Sequence, residues 1–217
     1  SLESKEIKAY EKALEIAKKI HQNRLEGAKI LEHTVCDTLE FLDMPKVVFF
    51  ALIKEEFKNG QKELYPDGSD KIEFYISANK GAEPQPLSKI ASGGELARIM
   101  LALKSVIADK DGVSTVVFDE IDAGVSGKTA RKIGIKMLSL SKKTQIFCVT
   151  HSAQIASLAD THLLIKKKTV GEKTETELET LSEDGRISEL SRILGGINIT
   201  DAQRRAAVDM LNERKTY

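Results

Sequence analysis

The chain has 217 residues, of which 41% are hydrophobic, so it can bury one full core with an appendage, or two small domains. Its 33 basic residues balance 33 acidic ones, so the chain as a whole is not tuned for a polyanion, and any nucleic-acid contact must come from a local patch or another part of an assembly. It contains no run of about 18 apolar residues and no basic-then-apolar leader, which predicts a cytoplasmic protein without membrane association.

The first predicted element is a long helix over residues 2–42, which are rich in Lys, Glu, Ala and Leu, lack proline and contain one glycine. A heptad frame starting at Ile7 places apolar residues on a seam at both ends of this helix, but not in its middle. A helix of roughly 40 residues would extend about 60 Å. We interpret it as one strand of a coiled-coil arm, with an ordinary amphipathic surface helix as the alternative. Because the chain begins inside this pattern, we expect it to be a piece of a longer protein.

The sequence changes character at Pro45, which predicts an arm segment over residues 1–44 and a separate domain over residues 45–217. Strands and helices then alternate, as in α/β folds with parallel core strands. The first two strands, 47–53 and 71–77, form a hairpin-like pair. The later elements are predicted as helices over 95–108, 128–140, 152–159, 187–194 and 201–212, and as strands over 115–119, 145–150, 162–165 and 176–181. The continuous apolar strands 115–119 and 145–150 are expected to be buried on both faces.

Three candidate catalytic residues fall at the carboxyl ends of these core strands, where ligands bind in open α/β sheets. Asp119 follows an apolar strand and is suited to hold Mg²⁺ through its water shell. Glu120 could orient and partly deprotonate an attacking water. His151, at the tip of the next strand, could hydrogen-bond a γ-phosphate and that water.

A glycine turn precedes the helix at 95–108. In Ser92-Gly93-Gly94 the glycines let backbone N–H groups approach an anion, and the helix that begins at Glu95 directs its positive dipole end to the same point. The alternative is a simple helix N-cap, with Ser92 as the capping hydroxyl.

A second glycine-containing stretch resembles a phosphate loop but does not match one. In the frame that ends Gly127-Lys128-Thr129, Asp122 occupies the position where the motif requires glycine. No other G-x-x-x-x-G-K-[S/T] occurs in the chain. The chain alone is therefore predicted to lack ATPase activity.

Three motifs stand in a fixed order, L-S-K-I-A-S-G-G-E-L-A-R-I-M-L-A-L-K, V-V-F-D-E-I-D-A-G-V-S-G-K and V-T-H-S-A-Q-I-A-S-L-A-D. They resemble the C-terminal part of a bacterial DNA-repair member of the SMC-like family of ABC ATPases, and the likeness extends from about residue 31 onward. The resemblance implies the C-terminal lobe of an ABC-type ATPase head, with ATP and Mg²⁺ as cofactors. It also implies a role in repair of DNA double-strand breaks by recombination, through ATP-driven dimerisation of heads.

The resemblance assigns a role to each candidate residue. The signature that closes on ATP held by a second head would be Ser92, Gly93, Gly94 and Glu95. Asp119 would be the Walker B magnesium ligand.

Glu120 would be the catalytic base and His151 the switch histidine of the H-loop. The D-loop, from Asp122 to Gly124, would cross to the partner head. The implied partners are an N-terminal lobe that carries the phosphate loop, a second head in a homodimer, and DNA contacted through other parts of the protein. The implied location is the cytoplasm, in association with the nucleoid. The alternatives are a transporter motor, a different SMC-like protein, or a non-catalytic module that dimerises through its helix.

Three other features have structural interpretations. Lys166-Lys167-Lys168 is interpreted as a charged strand edge, with DNA contact as the alternative. Gly195-Gly196 is predicted to end a helix. Cys36 and Cys148 are predicted to be buried free thiols.

Overall fold

The computed structural model describes residues 2–77, 81–90, 93–170, 173–196 and 198–217, with backbone only for residues 169, 170, 173 and 174. The chain divides into two compact units, Ser1–Ala91 and Ser92–Tyr217. The predicted boundary at Pro45 lies inside the first unit, and the assignment of 1–44 and 45–217 as separate domains stays a prediction.

The first unit begins with the long helix that the sequence predicts, α1, which spans 40 residues. Short strands and the predicted hairpin follow it. The elements of this unit are α1 (Leu2–Phe41), β1 (Val48–Glu55), β2 (Phe57–Lys58), β3 (Gln61–Lys62), β4 (Asp70–Ser77), β5 (Gln85–Pro86) and a 3₁₀ turn (Leu87–Lys89). Strands β1 and β4 pair antiparallel from Val48↔Ser77 to Glu55↔Asp70, which confirms the predicted pairing.

The C-terminal end of α1 packs on β1. Val35 and Leu39 of the helix and Phe49 of the strand are buried. Glu32 reaches the same strand and accepts a hydrogen bond from the Ala51 amide at 2.9 Å. Further towards the N-terminus α1 leaves large apolar side chains exposed, among them Leu2, Ile7, Ile16 and Ile30. No helix in the described part of the chain is long and apolar enough to cross a membrane.

A polar cluster joins the middle of α1 to the hairpin. His21 Nδ1 lies 2.6 Å from Asp70 Oδ1, and Arg24 donates to Asp70 Oδ2 at 3.0 Å. His21, Asp70 and Glu55 offer ligand atoms within 4.8 Å of one another. Arg24 and Lys62 already pair with the two carboxylates, so the cluster is neutralised by protein cations, and we assign no metal to it.

The second unit alternates helices and strands. Its elements are α2 (Gly94–Ile107), β6 (Thr115–Phe118), α3 (Gly127–Ser141), β7 (Gln145–Cys148), α4 (Ala153–Ala156), β8 (Leu163–Val170), β9 (Lys173–Thr180), α5 (Glu183–Gly195) and α6 (Asp201–Arg214). Strands β6 and β7 pair in parallel from Thr115↔Gln145 to Phe118↔Cys148. The order of the elements and the parallel core pair confirm the predicted α/β fold.

The expectation that β6 and β7 are buried on both faces is wrong for the described residues. Phe118 is buried, but the adjacent pair Val117 and Phe147 is 65% and 45% exposed. Successive side chains of a strand point to opposite faces of a sheet. Helix α3 packs on β7, whereas the side chains of Val117 and Phe147 are open to solvent in the described part of the chain.

Both predicted closing helices are present, as α5 and α6. Leu190 of α5 packs with Ala207 and Leu211 of α6. Gly196 has φ 68° and donates its amide to the Arg192 carbonyl at 2.8 Å, so it ends α5 as predicted. Strands β8 and β9 form an antiparallel hairpin, and the side chains of Lys166 and Glu179 form an ion pair across it. Contact between the lysine run and DNA stays a prediction.

Candidate functional site

The predicted carboxylate pair follows β6 directly. Asp119 and Glu120 are both exposed, and among the described residues neither side chain makes a hydrogen bond or an ion pair. Glu120 has φ 55°, a left-handed conformation that costs a non-glycine residue about 1–2 kcal/mol. The strand therefore ends in a sharp turn at Glu120, while both carboxylates stay open to solvent. Such free carboxylates can bind a hydrated cation or a water.

Helix α2 begins beside this turn. Its N-cap is Gly93, whose φ of 149° and ψ of 177° belong to a region that only glycine populates readily. Gly94 is buried in the first helical turn, where a Cβ would lie 2.9 Å from the Glu120 carbonyl oxygen and 3.0 Å from that of Ala123. The glycine therefore allows the start of α2 to pack directly on the loop after β6. Ser92 lies outside the described residues, and Glu95 is exposed in the first turn.

A buried arginine one turn further along α2 holds the same loop. Arg98 Nη1 donates to the carbonyl oxygens of Ile121 and Ala123 at 3.3 and 3.4 Å. Burial lowers the pKa of Arg98 below its usual value, and the charge of Glu95 opposes this shift. Arg98 was not among the functional residues predicted from the sequence. Its position four residues after Gly94, on the same helix face, was the available signal.

Asp122 lies in this loop, but its side chain points inward and is only 2% exposed. Its Oδ2 accepts hydrogen bonds from Thr150 Oγ1 at 2.5 Å and from the His151 amide at 3.2 Å. His151 Nδ1 lies 3.4 Å from the same oxygen. The other oxygen, Oδ1, is buried and has no hydrogen-bond partner among the described residues. The structure thus brings Asp122 and His151 together.

The turn between β7 and α4 carries His151. The Thr150 hydroxyl donates to Asp122 and accepts a hydrogen bond from the Ser152 amide at 2.9 Å. Thr150 therefore links Asp122 to Ser152. The imidazole of His151 is 85% exposed. Thr150 was not among the functional residues predicted from the sequence. No described hydrogen bond joins His151 to the side chain of Asp119 or Glu120.

The stretch that resembles a phosphate loop forms an ordinary helix start. Ser126 is the N-cap of α3 and accepts a hydrogen bond from the Thr129 amide at 3.3 Å. Lys128 is exposed in the first turn, and Gly124 has φ 70°. The carboxylate of Asp122 occupies the position where a phosphate loop needs glycine, so this stretch would repel a triphosphate.

The local electrostatics also affect Cys148, at the end of β7. Burial, followed by the charges of Asp122 and Asp119, raises the pKa of its thiol to about 12. Cys36 and Cys148 are free, as predicted, but both are half-buried and not fully buried. Within the second unit, a cleft of about 330 Å³ is lined by Asp122 and His151, together with residues from α3, α4 and the end of α5.

Comparison with known proteins shows what the chain is similar to. No protein-family model matches it. It is 39% identical over 189 residues to the DNA repair protein RecN of Halalkalibacterium halodurans, a match that covers 87% of the chain and 33% of that protein. It is 38% identical over 211 residues to RecN of Rickettsia conorii, covering 97% of the chain and 38% of the relative.

The chain is RecN-like. The resemblance inferred from its motifs is thereby confirmed, and the chain spans about a third of the length of these RecN proteins. Among solved structures, the chain is similar to the Smc head domain of Pyrococcus yayanosii with a coiled coil and joint. The match has a TM-score of 0.59 and 17% identity, and it covers 99% of this chain and 34% of the Pyrococcus yayanosii chain. The match to the Smc head domain of Pyrococcus furiosus with an extended coiled coil has a TM-score of 0.56 and 18% identity. It covers 89% of this chain and 45% of the Pyrococcus furiosus chain. The RecN-like chain therefore shares the fold of part of these SMC head structures.

Proposed function

We propose that this chain supplies the signature and water-activating half of an SMC-like ATPase that acts in repair of DNA double-strand breaks by recombination. One observation carries the proposal. Gly94 packs against the carbonyls of Glu120 and Ala123, so the N-terminal end of α2 lies next to the end of the strand that presents Asp119. An anion-binding helix terminus beside two free carboxylates combines phosphate recognition with the chemistry of metal and water.

The residues present fit ATP and Mg²⁺. Mg²⁺ keeps most of its waters and needs one or two carboxylates, which the exposed Asp119 can supply. When bound, the ion would neutralise charge on the transferred phosphoryl group. Glu120 would orient the attacking water and accept its proton, and His151 would hydrogen-bond the γ-phosphate. Ser92 and the N–H groups at Gly93 and Gly94 would bind the γ-phosphate, assisted by the helix dipole.

The triphosphate cradle is proposed to come from outside this chain. Its sequence contains no G-x-x-x-x-G-K-[S/T], so the phosphate loop would belong to an N-terminal lobe of the longer protein. The signature here would then close on ATP held by a second head, with residues 122–124 near the interface. DNA would be contacted through other parts of the protein, since this chain has no net charge.

The alternatives fit less well. In a transporter motor the phosphate loop precedes the signature, with a compact helical subdomain between them, whereas here a 40-residue helix and a hairpin precede α2. A module that only dimerises through its helix would not need free carboxylates beside a glycine-dependent helix start.

The test is Glu120→Gln in the longer protein that carries a phosphate loop. We expect ATP binding close to that of the parent and hydrolysis at least ~100-fold slower, because a general base is lost. Glu175→Gln, on the exposed β8–β9 hairpin, is the matched control and should hydrolyse ATP normally. Near-normal turnover of Glu120→Gln would exclude Glu120 as the base.

Mixing two defective heads tests the shared site. Ser92→Arg should retain ATP binding but lose ATP-dependent dimerisation and hydrolysis. Mixed with heads that are defective in the phosphate loop, it should recover part of the hydrolysis, because both defects can fall in one composite site and leave the other intact. Loss of ATP binding in Ser92→Arg alone, with no recovery on mixing, would mean that the signature acts within its own subunit.

A further inference from the structure

Asp122 occupies an unexpected place for a residue of an interface loop. Its neighbours Ala123 and Gly124 are exposed, whereas its own side chain is almost fully buried. A buried carboxylate is retained only where it is paired or accepts strong hydrogen bonds. The groups that face Asp122 Oδ2 all belong to the turn that carries His151.

These contacts fix the backbone of that turn. Asp122 holds the Thr150 hydroxyl and the His151 amide, and Thr150 passes the constraint to the Ser152 amide. Two consecutive amides that follow β7 thus have side-chain acceptors: the His151 amide donates to Asp122 Oδ2, and the Ser152 amide donates to Thr150 Oγ1. A carboxyl oxygen has two lone-pair sites, so Asp122 Oδ2 can accept from the Thr150 hydroxyl and the His151 amide at the same time. Nothing else among the described side chains accepts a hydrogen bond from either amide.

We propose that Asp122 is the positioning residue for His151 within its own lobe, with Thr150 as the relay. In this role Asp122 contacts neither nucleotide nor a partner head. It sets the place from which the exposed imidazole of His151 reaches the γ-phosphate. The inference rests on the proposed function only for the task of His151, since the contacts themselves are independent of ATP.

The chain offers matched variants for a test. Thr150→Val removes the hydroxyl and keeps the shape of the side chain, whereas Thr150→Ser keeps the hydroxyl. Asp122→Ala removes both acceptors. Asp122→Asn can keep a carbonyl oxygen at the Oδ2 position and place its amide where Oδ1 has no described partner. We expect Thr150→Val and Asp122→Ala to lose the order of the turn and part of the hydrolysis, and Thr150→Ser and Asp122→Asn to keep both. That pattern would identify the hydrogen bonds as the cause and exclude side-chain volume or packing.

The first measurement is hydrogen exchange of peptides covering residues 149–153 in the longer protein without nucleotide. Thr150→Val and Asp122→Ala should speed exchange of the His151 and Ser152 amides at least ~10-fold, because each amide loses its acceptor or the support of its acceptor. Amides of α6 should be unchanged, which excludes general unfolding. Parent-like exchange in both variants would overturn the inference, whatever their activity.

The second measurement is ATP hydrolysis in a double-mutant cycle with His151→Ala. Thr150→Val should lower kcat about tenfold with little change in KM, and should lower it by less than about twofold further once His151 is already alanine. Independent, multiplicative effects would overturn the inference. Faster exchange in Thr150→Val together with no effect of His151→Ala on kcat would support the positioning of the turn and refute the proposed catalytic task of His151, so the two failures are distinguishable.

Discussion

Gly94→Ala tests the contact on which the site depends. The added methyl group would lie 2.9 Å from the Glu120 carbonyl oxygen, 3.0 Å from the Ala123 carbonyl oxygen and 3.0 Å from Arg98 Nη1. Gly94 is helical, so alanine can adopt its backbone conformation and the cost comes from packing alone. Two of the three atoms are backbone oxygens of the loop after β6. Arg98 binds the Ala123 oxygen directly, and the Glu120 oxygen precedes Ile121, whose carbonyl Arg98 also binds. Neither oxygen can therefore move away without moving the loop.

The expected magnitude follows from two opposing effects. Overpacking a filled site costs about 1–3 kcal/mol of unfolding free energy. Replacing glycine by alanine in a helix returns up to about 1 kcal/mol. Because three atoms would lie within 3.0 Å of the added methyl group, we expect a cost in the upper part of that range, about 2–3 kcal/mol. The net destabilisation is then about 1–2 kcal/mol, which corresponds to a fall in Tm of about 2–8 °C for a chain of this size. Hydrolysis in the assembled protein should also slow, because the start of α2 is pushed away from the end of β6.

Calorimetry of the 217-residue chain, with hydrogen exchange to assign the change to the second unit, provides the assay. Gly27→Ala is the control, because Gly27 lies in α1 with no atom within 4 Å of an added Cβ. That control should raise stability by about 0.5–1 kcal/mol. If Gly94→Ala were as stable as the parent, the close approach of α2 to the loop would be refuted.

Three further outcomes are expected. Because its pKa is raised to about 12, the Cys148 thiol should stay protonated at pH 8 and react with iodoacetamide at least ~10-fold more slowly than free cysteine. Mass spectrometry of the alkylated peptide measures the rate, and an equal rate would contradict the effect of burial and of the two carboxylates. Lys128→Ala in the assembled protein should leave the Kd for Mg-ATP within about twofold, since the stretch is a helix start and not a phosphate loop; a large loss would restore the phosphate-loop interpretation. Ser126→Ala should lower the unfolding free energy by about 0.5–2 kcal/mol through loss of the α3 N-cap, whereas Ser141→Ala, at the other end of α3, should change it by less than about 0.5 kcal/mol in urea unfolding.

The long elements could be predicted because their patterns are local. Helix α1 has no proline over 40 residues, and the apolar runs that form β6 and β7 are bounded by polar residues. Strand ends were predicted less well: β7 ends at Cys148, two residues before its predicted end, whereas β8 continues to Val170, five residues beyond its predicted end. The parallel pairing followed from the alternation of strands and helices.

The direction of the Asp122 side chain could not be predicted. Its partner, Thr150, comes 28 residues later, and a carboxylate in a loop is ordinarily solvated. Arg98 is a similar case, since a helical arginine is usually exposed, and only the carbonyls of the loop after β6 explain its burial. The open face of β6 and β7 was missed for a different reason. An apolar run shows that a strand can be buried, but not which element will cover each face.

The loop at residues 120–123 is therefore contacted from two directions by parts of the chain that are distant in sequence. Helix α2 meets its backbone through Gly94 and Arg98, and the turn after β7 meets its side chain at Asp122. Packed contacts of this kind move between discrete arrangements and do not deform gradually. If the N-terminal end of α2 shifted, it would consequently move the backbone of Glu120. Through Asp122, it would also move the turn that carries His151. The motifs that we propose to recognise phosphate and to activate water would therefore be coupled even before nucleotide is bound, because both contact one short loop.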